Sequence, residues 1–189
     1  FRSLALEDHW RALPLFTIRG IQAVTAVSVF GLFVYHHIGG TMNVGAARAL
    51  DSLGFVATGL VAGRLVERYG SVPVLLFGTF VAGTMHVLRG FLVTPVQAFL
   101  LSLVAGIFFQ IYHVPLFAWF ADRAEEHDSL EFYTLRKIFV SLGNVITITT
   151  LVIGLILLPQ KQAFMATFGV AALSTVAMGV WYWQVAGDM

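Results

Sequence analysis

The chain has 189 residues, 58% of them hydrophobic and only 11% charged, with a net charge of +1 and a mean hydropathy of +0.85. That composition excludes an ordinary soluble domain, and a charge so close to zero with no basic stripe excludes a nucleic-acid partner. Cysteine is absent, which removes disulfides and thiolate chemistry.

A hydrocarbon core about 30 Å thick needs roughly 20 apolar residues for each helical crossing. Six stretches reach that length: 14–38, 46–66, 72–92, 95–121, 131–158 and 162–184. The sequence therefore predicts an all-α integral membrane protein, a bundle of six transmembrane helices over 14–189 preceded by a short segment, 1–13. A membrane barrel would instead show segments of about 10 residues with alternating polarity, a pattern the chain lacks.

In chain order, residues 1–13 place Phe1, Leu4, Leu6, Trp10 and Leu13 on one side of a helix. Glu7, Asp8 and Arg11 stand where a signal peptide needs an apolar core, so the segment reads as an amphipathic helix on the membrane surface. The chain opens on Phe rather than Met, and the gene product is expected to extend upstream. The first membrane helix carries Gln22, Thr25 and Ser28 at mid-depth and His36 and His37 at its far end. Adjacent histidines point to different faces of a helix and lack the i, i+4 spacing of a helical metal pair, so no metal or other cofactor is expected.

The second helix spaces Gly54 with Thr58, and Gly59 with Gly63, four residues apart, which lets helices approach closely. It is followed by Gly63-Arg64-Leu65-Val66-Glu67-Arg68-Tyr69-Gly70, read as a compact charged loop. The third helix brings Gly78, Gly83, His86 and Arg89, with Arg89 expected to snorkel to the headgroups. The fourth holds Gln110, Tyr112 and His113, followed by Pro115, which frees a carbonyl and permits a kink. The fifth carries Ser141, Gly143, Asn144, Thr147, Thr149 and Thr150, whose hydroxyls are expected to bond back to their own helix. Gly106 and Gly169 are further packing glycines. The sixth helix ends in Trp181-Tyr182-Trp183, which with Trp119 suggests an interfacial aromatic belt.

Six crossings put both termini on one side, with Arg2, Arg11, Arg19, Arg64, Arg68, Arg123, Arg136 and Lys137. The other side holds Arg48, Arg89 and Lys161. The positive-inside rule then places the termini and the Gly63–Gly70 patch in the cytoplasm, and the expected location is the inner (plasma) membrane of a bacterium.

Gly63, Glu67, Arg68 and Gly70 carry a resemblance. They match in spacing and position the loop between the second and third helices of one half of a major facilitator superfamily transporter, with Glu67 where Asp is usual and Ser71 and Val72 where basic residues are usual. The stretch from Glu131 to Lys137, running on to Asn144 after the acidic 122–128 region, resembles the start of the fifth helix of such a half. The degenerate loop and linker-like opening resemble the C-terminal half.

The resemblance implies alternating-access transport of a small solute, in which this bundle works against a second one. That second bundle would be a missing N-terminal half, another copy of the chain, or a separate half-size protein. It also implies that Gln22, Gln110 and His113 face the substrate cavity. Asn144, polar and beside Gly143, joins them as a candidate, because polar groups are costly in hydrocarbon. Glu67 and Arg68 would latch the cytoplasmic gate, while topology enforcement alone already accounts for Arg64 and Arg68. A structural or assembly subunit that keeps the fold without transporting is the competing reading. No HExxH, Gly-rich phosphate loop or acid cluster suggests an enzyme.

Overall fold

The computed structural model describes residues 10–126 and 129–187, and every long element among them is helical. Residues 1–9 of the expected amphipathic segment, and His127 and Asp128 of the acidic region, lie outside the described residues. The elements are α1 (Leu13–Val24), a π-helical turn (Thr25–Val29), α2 (Phe30–Phe33), a second π-helical turn (Val34–Gly39), α3 (Gly40–Tyr69), α4 (Ser71–Arg89), α5 (Pro95–Glu126), α6 (Ser129–Leu157) and α7 (Gln160–Gly187).

Among the described residues five helices, not the six expected, are long and apolar enough to cross a membrane: Leu13–Tyr69, Ser71–Arg89, Pro95–Glu125, Ser129–Leu157 and Gln160–Val185. They are compatible with a multi-pass membrane protein. The difference arises at 39–45, where the sequence suggested a loop and the chain instead passes from helix to helix. The resulting run of 57 residues would be about 86 Å long if straight, nearly three times the thickness of a hydrocarbon core.

It is not straight. Gly39 and Gly40 take φ of 105° and 75°, a region open to glycine and strained for other residues. Beyond that corner the Arg48 guanidinium donates to the carbonyl of Val27, 21 residues earlier. Those residues would stand about 31 Å apart on a straight helix. Two glycines thus suffice to reverse the chain.

The charged patch before α4 is also more helical than expected. Gly63, Glu67 and Arg68 sit in the last turns of α3, and only Gly70 breaks the helix, with φ of 84°. Its N–H still donates to Val66 O at 2.8 Å, satisfying one of the terminal carbonyls. Between α4 and α5, Thr94 and Gln97 cap each other: Gln97 N–H donates to Thr94 Oγ1 at 3.3 Å and Thr94 N–H to Gln97 Oε1 at 3.2 Å. Pro95 takes the first helical position, where its missing donor is harmless. Helix α5 continues through Pro115 without interruption.

Helices pair as α1 with α6, α3 with α5, and α4 with both α5 and α7. Glycines set the main crossings. A Cβ on Gly20 would strike the backbone of Val140, and one on Gly143 the backbone of Thr17 and Ile21; Gly54 and Gly106 stand in the same relation to Leu103 and Asp51. Gly78 lies against Tyr112, Gly83 against Ala172, and Gly179 against Thr79. Because lipid tails are as apolar as leucine, close packing of this kind holds membrane helices together. Gly63 and Gly169, expected to pack, face open space.

The core is aromatic at both ends. Phe16, Tyr112, Phe120, Phe132 and Tyr182 pack at the end where α1 begins. Phe30, Phe33, Phe164 and Phe168 pack at the end of the glycine corner. Trp119 belongs to this interior rather than to an interfacial belt: it is buried against Phe120 and Tyr182. Trp183 is exposed. Outward, α6 presents Ile138, Val145, Ile148, Val152 and Ile156, an apolar face of the kind lipid or another helix covers.

Candidate functional site

Three polar groupings interrupt the apolar interior. The first is a cavity of about 270 Å³ lined by Arg19 of α1, Phe55 of α3, and Gln110, His113, Val114 and Phe117 of α5. The α5 residues recur at spacings of three and four, which puts them on one helical face. The His113 ring lies 5.4 Å from Phe55 and 5.6 Å from Phe117 by ring centres, so aromatic edges flank the imidazole.

Buried polar atoms are nearly always hydrogen-bonded, and leaving one unpaired costs about 1–3 kcal/mol. Arg19 Nε, Gln110 Oε1 and both His113 ring nitrogens are buried without a hydrogen-bond partner among the described residues. All belong to side chains that line the one cavity, with the atoms themselves turned out of reach of its space.

The second grouping is a hydrogen-bonded wire. Tyr112 Oη donates to Gln22 Oε1 at 3.0 Å, Gln22 Nε2 donates to Thr175 Oγ1 at 3.0 Å, and Thr175 Oγ1 donates to Ala171 O at 2.7 Å. It ties α5, α1 and α7 together. Gln22 is 2% exposed, so it sits inside the bundle rather than on the cavity.

The third is a cluster of charge. Arg48 and Asp51 pair at 3.8 Å, one turn apart on α3. Asp51 also lies in the field of Arg89. Arg89 does not snorkel. It is 0% exposed, its guanidinium 4.4 Å from the Phe30 ring centre and 5.2 Å from that of Phe109. His86 is equally buried, its ring 5.3 Å from Phe109. The sequence reading took Arg89 for a headgroup contact and gave Asp51 no role. The overlooked signal is an acid three residues after an arginine within a stretch, 38–63, that holds no other charged residue.

The remaining candidates separate. With its amide turned so that nitrogen donates, Asn144 reaches Gly20 O at 3.0 Å and Val140 O at 3.3 Å. It therefore joins α6 to α1 at their glycine crossing. The neighbouring threonines bond back as expected, Thr147 to Gly143 O and Thr150 to Ile146 O. Glu67 and Arg68 are exposed at the end of α3, away from the cavity, with Arg68 5.2 Å over the Tyr69 ring. Of the four cavity candidates, the structure brings together Gln110 and His113, and adds Arg19, which the sequence reading had used only as a topology charge.

No family model, curated protein or solved structure matches the chain.

Proposed function

We propose that the chain is a six-crossing half of a secondary transporter that moves a small solute by alternating access against a second bundle, in the manner of the major facilitator superfamily half it resembles. The observation that carries this reading is the cavity between α1, α3 and α5, where Arg19, Gln110 and His113 hold unpartnered polar atoms. Ionisable and polar side chains at membrane depth mark substrate pathways by default. The reversal at Gly39–Gly40 supports counting the arms of the first helical run as two crossings, which gives an even number and puts both ends of the bundle on one side. Charge asymmetry makes that side the cytoplasm.

A single bundle offers one wall of a midplane site, so the proposal requires a second six-helix body across the face bearing Arg19 and His113. That face must meet water. Because the chain has no cysteine, single cysteines can be introduced without background. Val114→Cys in the cavity is expected to react with a membrane-impermeant maleimide in proteoliposomes, while Ile148→Cys on the lipid-facing side of α6 stays unreactive. Equal protection of both would show a dry, packed face and defeat the transport reading.

A further inference from the structure

Arg19 is the only charged residue lining the cavity. Its charge is not balanced there by an acid: the cavity's other polar side chains are an amide and an imidazole. A second hollow, of about 310 Å³, is lined by Tyr133, Arg136, Lys137 and Val140. The two are linked by stacking, since the Arg136 guanidinium lies 4.9 Å from the ring centre of Phe117, a wall of the first cavity. Among the described residues no acidic side chain lines either hollow. Asp51, one turn from Phe55 on α3, is already engaged by Arg48 and lies in the field of Arg89.

We propose that the cavity binds a small organic monoanion with an apolar or aromatic body; this rests on reading the cavity as the substrate-facing wall. The head group would meet the Arg19 guanidinium. A cation out of bulk water is stabilised by a counter-charge and strongly disfavours a second cation. The Gln110 amide and the His113 imidazole, whose Oε1 and ring nitrogens are buried in the wall, would turn toward the ligand to orient its polar end. Phe55, Val114 and Phe117 supply the apolar walls, with ring edges suited to a planar body. Arg136 and Lys137, in the hollow that Arg136 joins to the Phe117 wall, would raise the local concentration of anions over that of neutral solutes.

The test uses the purified protein in detergent and equilibrium dialysis with three probes of one shape: benzoate, the neutral benzamide and the cationic benzylamine. Saturable benzoate binding is expected, tighter than benzamide by about tenfold or more, with benzylamine excluded. Arg19→Gln should weaken benzoate about ten- to hundredfold and leave benzamide unchanged, while Arg19→Lys, which keeps the charge, should keep the order of preference. Each variant is first required to elute as the parent does on size exclusion. Benzamide or benzylamine binding as tightly as benzoate, benzoate binding indifferent to Arg19→Gln, or no saturable benzoate binding by the folded protein would each overturn the proposal. Uptake by proteoliposomes is measured separately. Benzoate binding to a chain whose Val114→Cys stays unreactive toward the impermeant maleimide would sink the transport reading and leave the anion site standing, whereas uptake of neutral solutes alone would do the reverse.

Discussion

Arg89 is the most demanding side chain in the bundle, and its replacement by methionine tests how the charge is held. Methionine keeps an unbranched apolar stem and removes the guanidinium from between Phe30 and Phe109, at 4.4 and 5.2 Å. A desolvated cation–π contact is worth about 2 kcal/mol. Removing one partner of a buried charge pair costs about 3–5 kcal/mol, because the other charge is left behind. Here the remaining charge is Asp51, which lies in the field of Arg89 without a hydrogen bond to it, is 22% exposed and keeps Arg48 at 3.8 Å, so the lower end applies. Arg89→Met is expected to cost about 3 kcal/mol. Asp51→Asn should cost a similar amount by leaving two arginines without their acid. The double variant Arg89→Met with Asp51→Asn removes both charges and should recover at least about 1.5 kcal/mol of the summed loss, since neutralising a buried pair is far milder than breaking it. Equilibrium unfolding in mixed micelles, followed by near-ultraviolet circular dichroism, gives the three values. Additivity within about 0.5 kcal/mol would mean that Asp51 is not the counter-ion of Arg89, and the account of a balanced internal charge cluster would be wrong.

Three further outcomes follow from the same geometry. Gln22→Met, Tyr112→Phe and the double variant should show a positive coupling of about 0.6–1.7 kcal/mol in unfolding, the range found for hydrogen bonds between membrane helices. Gly143→Leu, whose side chain meets the backbone of Thr17 and Ile21, should cost about 1–3 kcal/mol or more, whereas Gly63→Ala, facing open space, should be neutral or stabilising by up to about 1 kcal/mol. Gly39→Ala with Gly40→Ala should destabilise by about 1–2 kcal/mol per site through positive-φ strain, measured by the same unfolding assay, while the single change Gly45→Ala, at ordinary helical φ and in open space, should not.

Sequence alone carried the helices well and the turns poorly, for a physical reason. Twenty apolar residues in a row leave few alternatives to a spanning helix, so the extents of α4, α5, α6 and α7 were legible to within a few residues. Turns were marked by composition, and glycine and charge were read as loop when the backbone needed only one or two glycines to change direction, at Gly39–Gly40 and at Gly70. The capping pair Thr94 and Gln97 was visible as a Thr-Pro-x-Gln pattern and would have fixed the start of α5. For the site, Gln110 and His113 were pointed to a cavity by the resemblance, and their spacing of three residues is what a shared face of α5 requires. What that spacing does not encode is the rotation of one helix against another. That rotation decides that Gln22 turns inward to Tyr112 while Arg19, nearly a turn earlier, meets the cavity, and that Arg89 turns in toward Phe30 instead of outward to lipid.

These contacts also constrain where motion can occur. Helix α5 touches all three polar groupings within five residues: Phe109 stacks on Arg89 and His86, Gln110 and His113 line the cavity, and Tyr112 bonds Gln22. The same stretch is fixed on two sides, by Tyr112 against Gly78 of α4 and by Gly106 against the backbone of α3. Rotation of α5 alone would break the wire, uncover the buried arginine and drive backbone into backbone at both crossings. Backbone-to-backbone contact at glycine has no flexible side chain to absorb such a shift. Helices α3, α4 and α5 therefore move as one body, with α1 and α7 held to them through Gln22 and Thr175. Unpartnered polar atoms lie on the Arg19 and His113 side chains of the cavity wall and also on Arg89 and His86 in the interior. These contacts oppose rearrangement within α3, α4 and α5 and leave displacement of the bundle as a whole as the motion they permit.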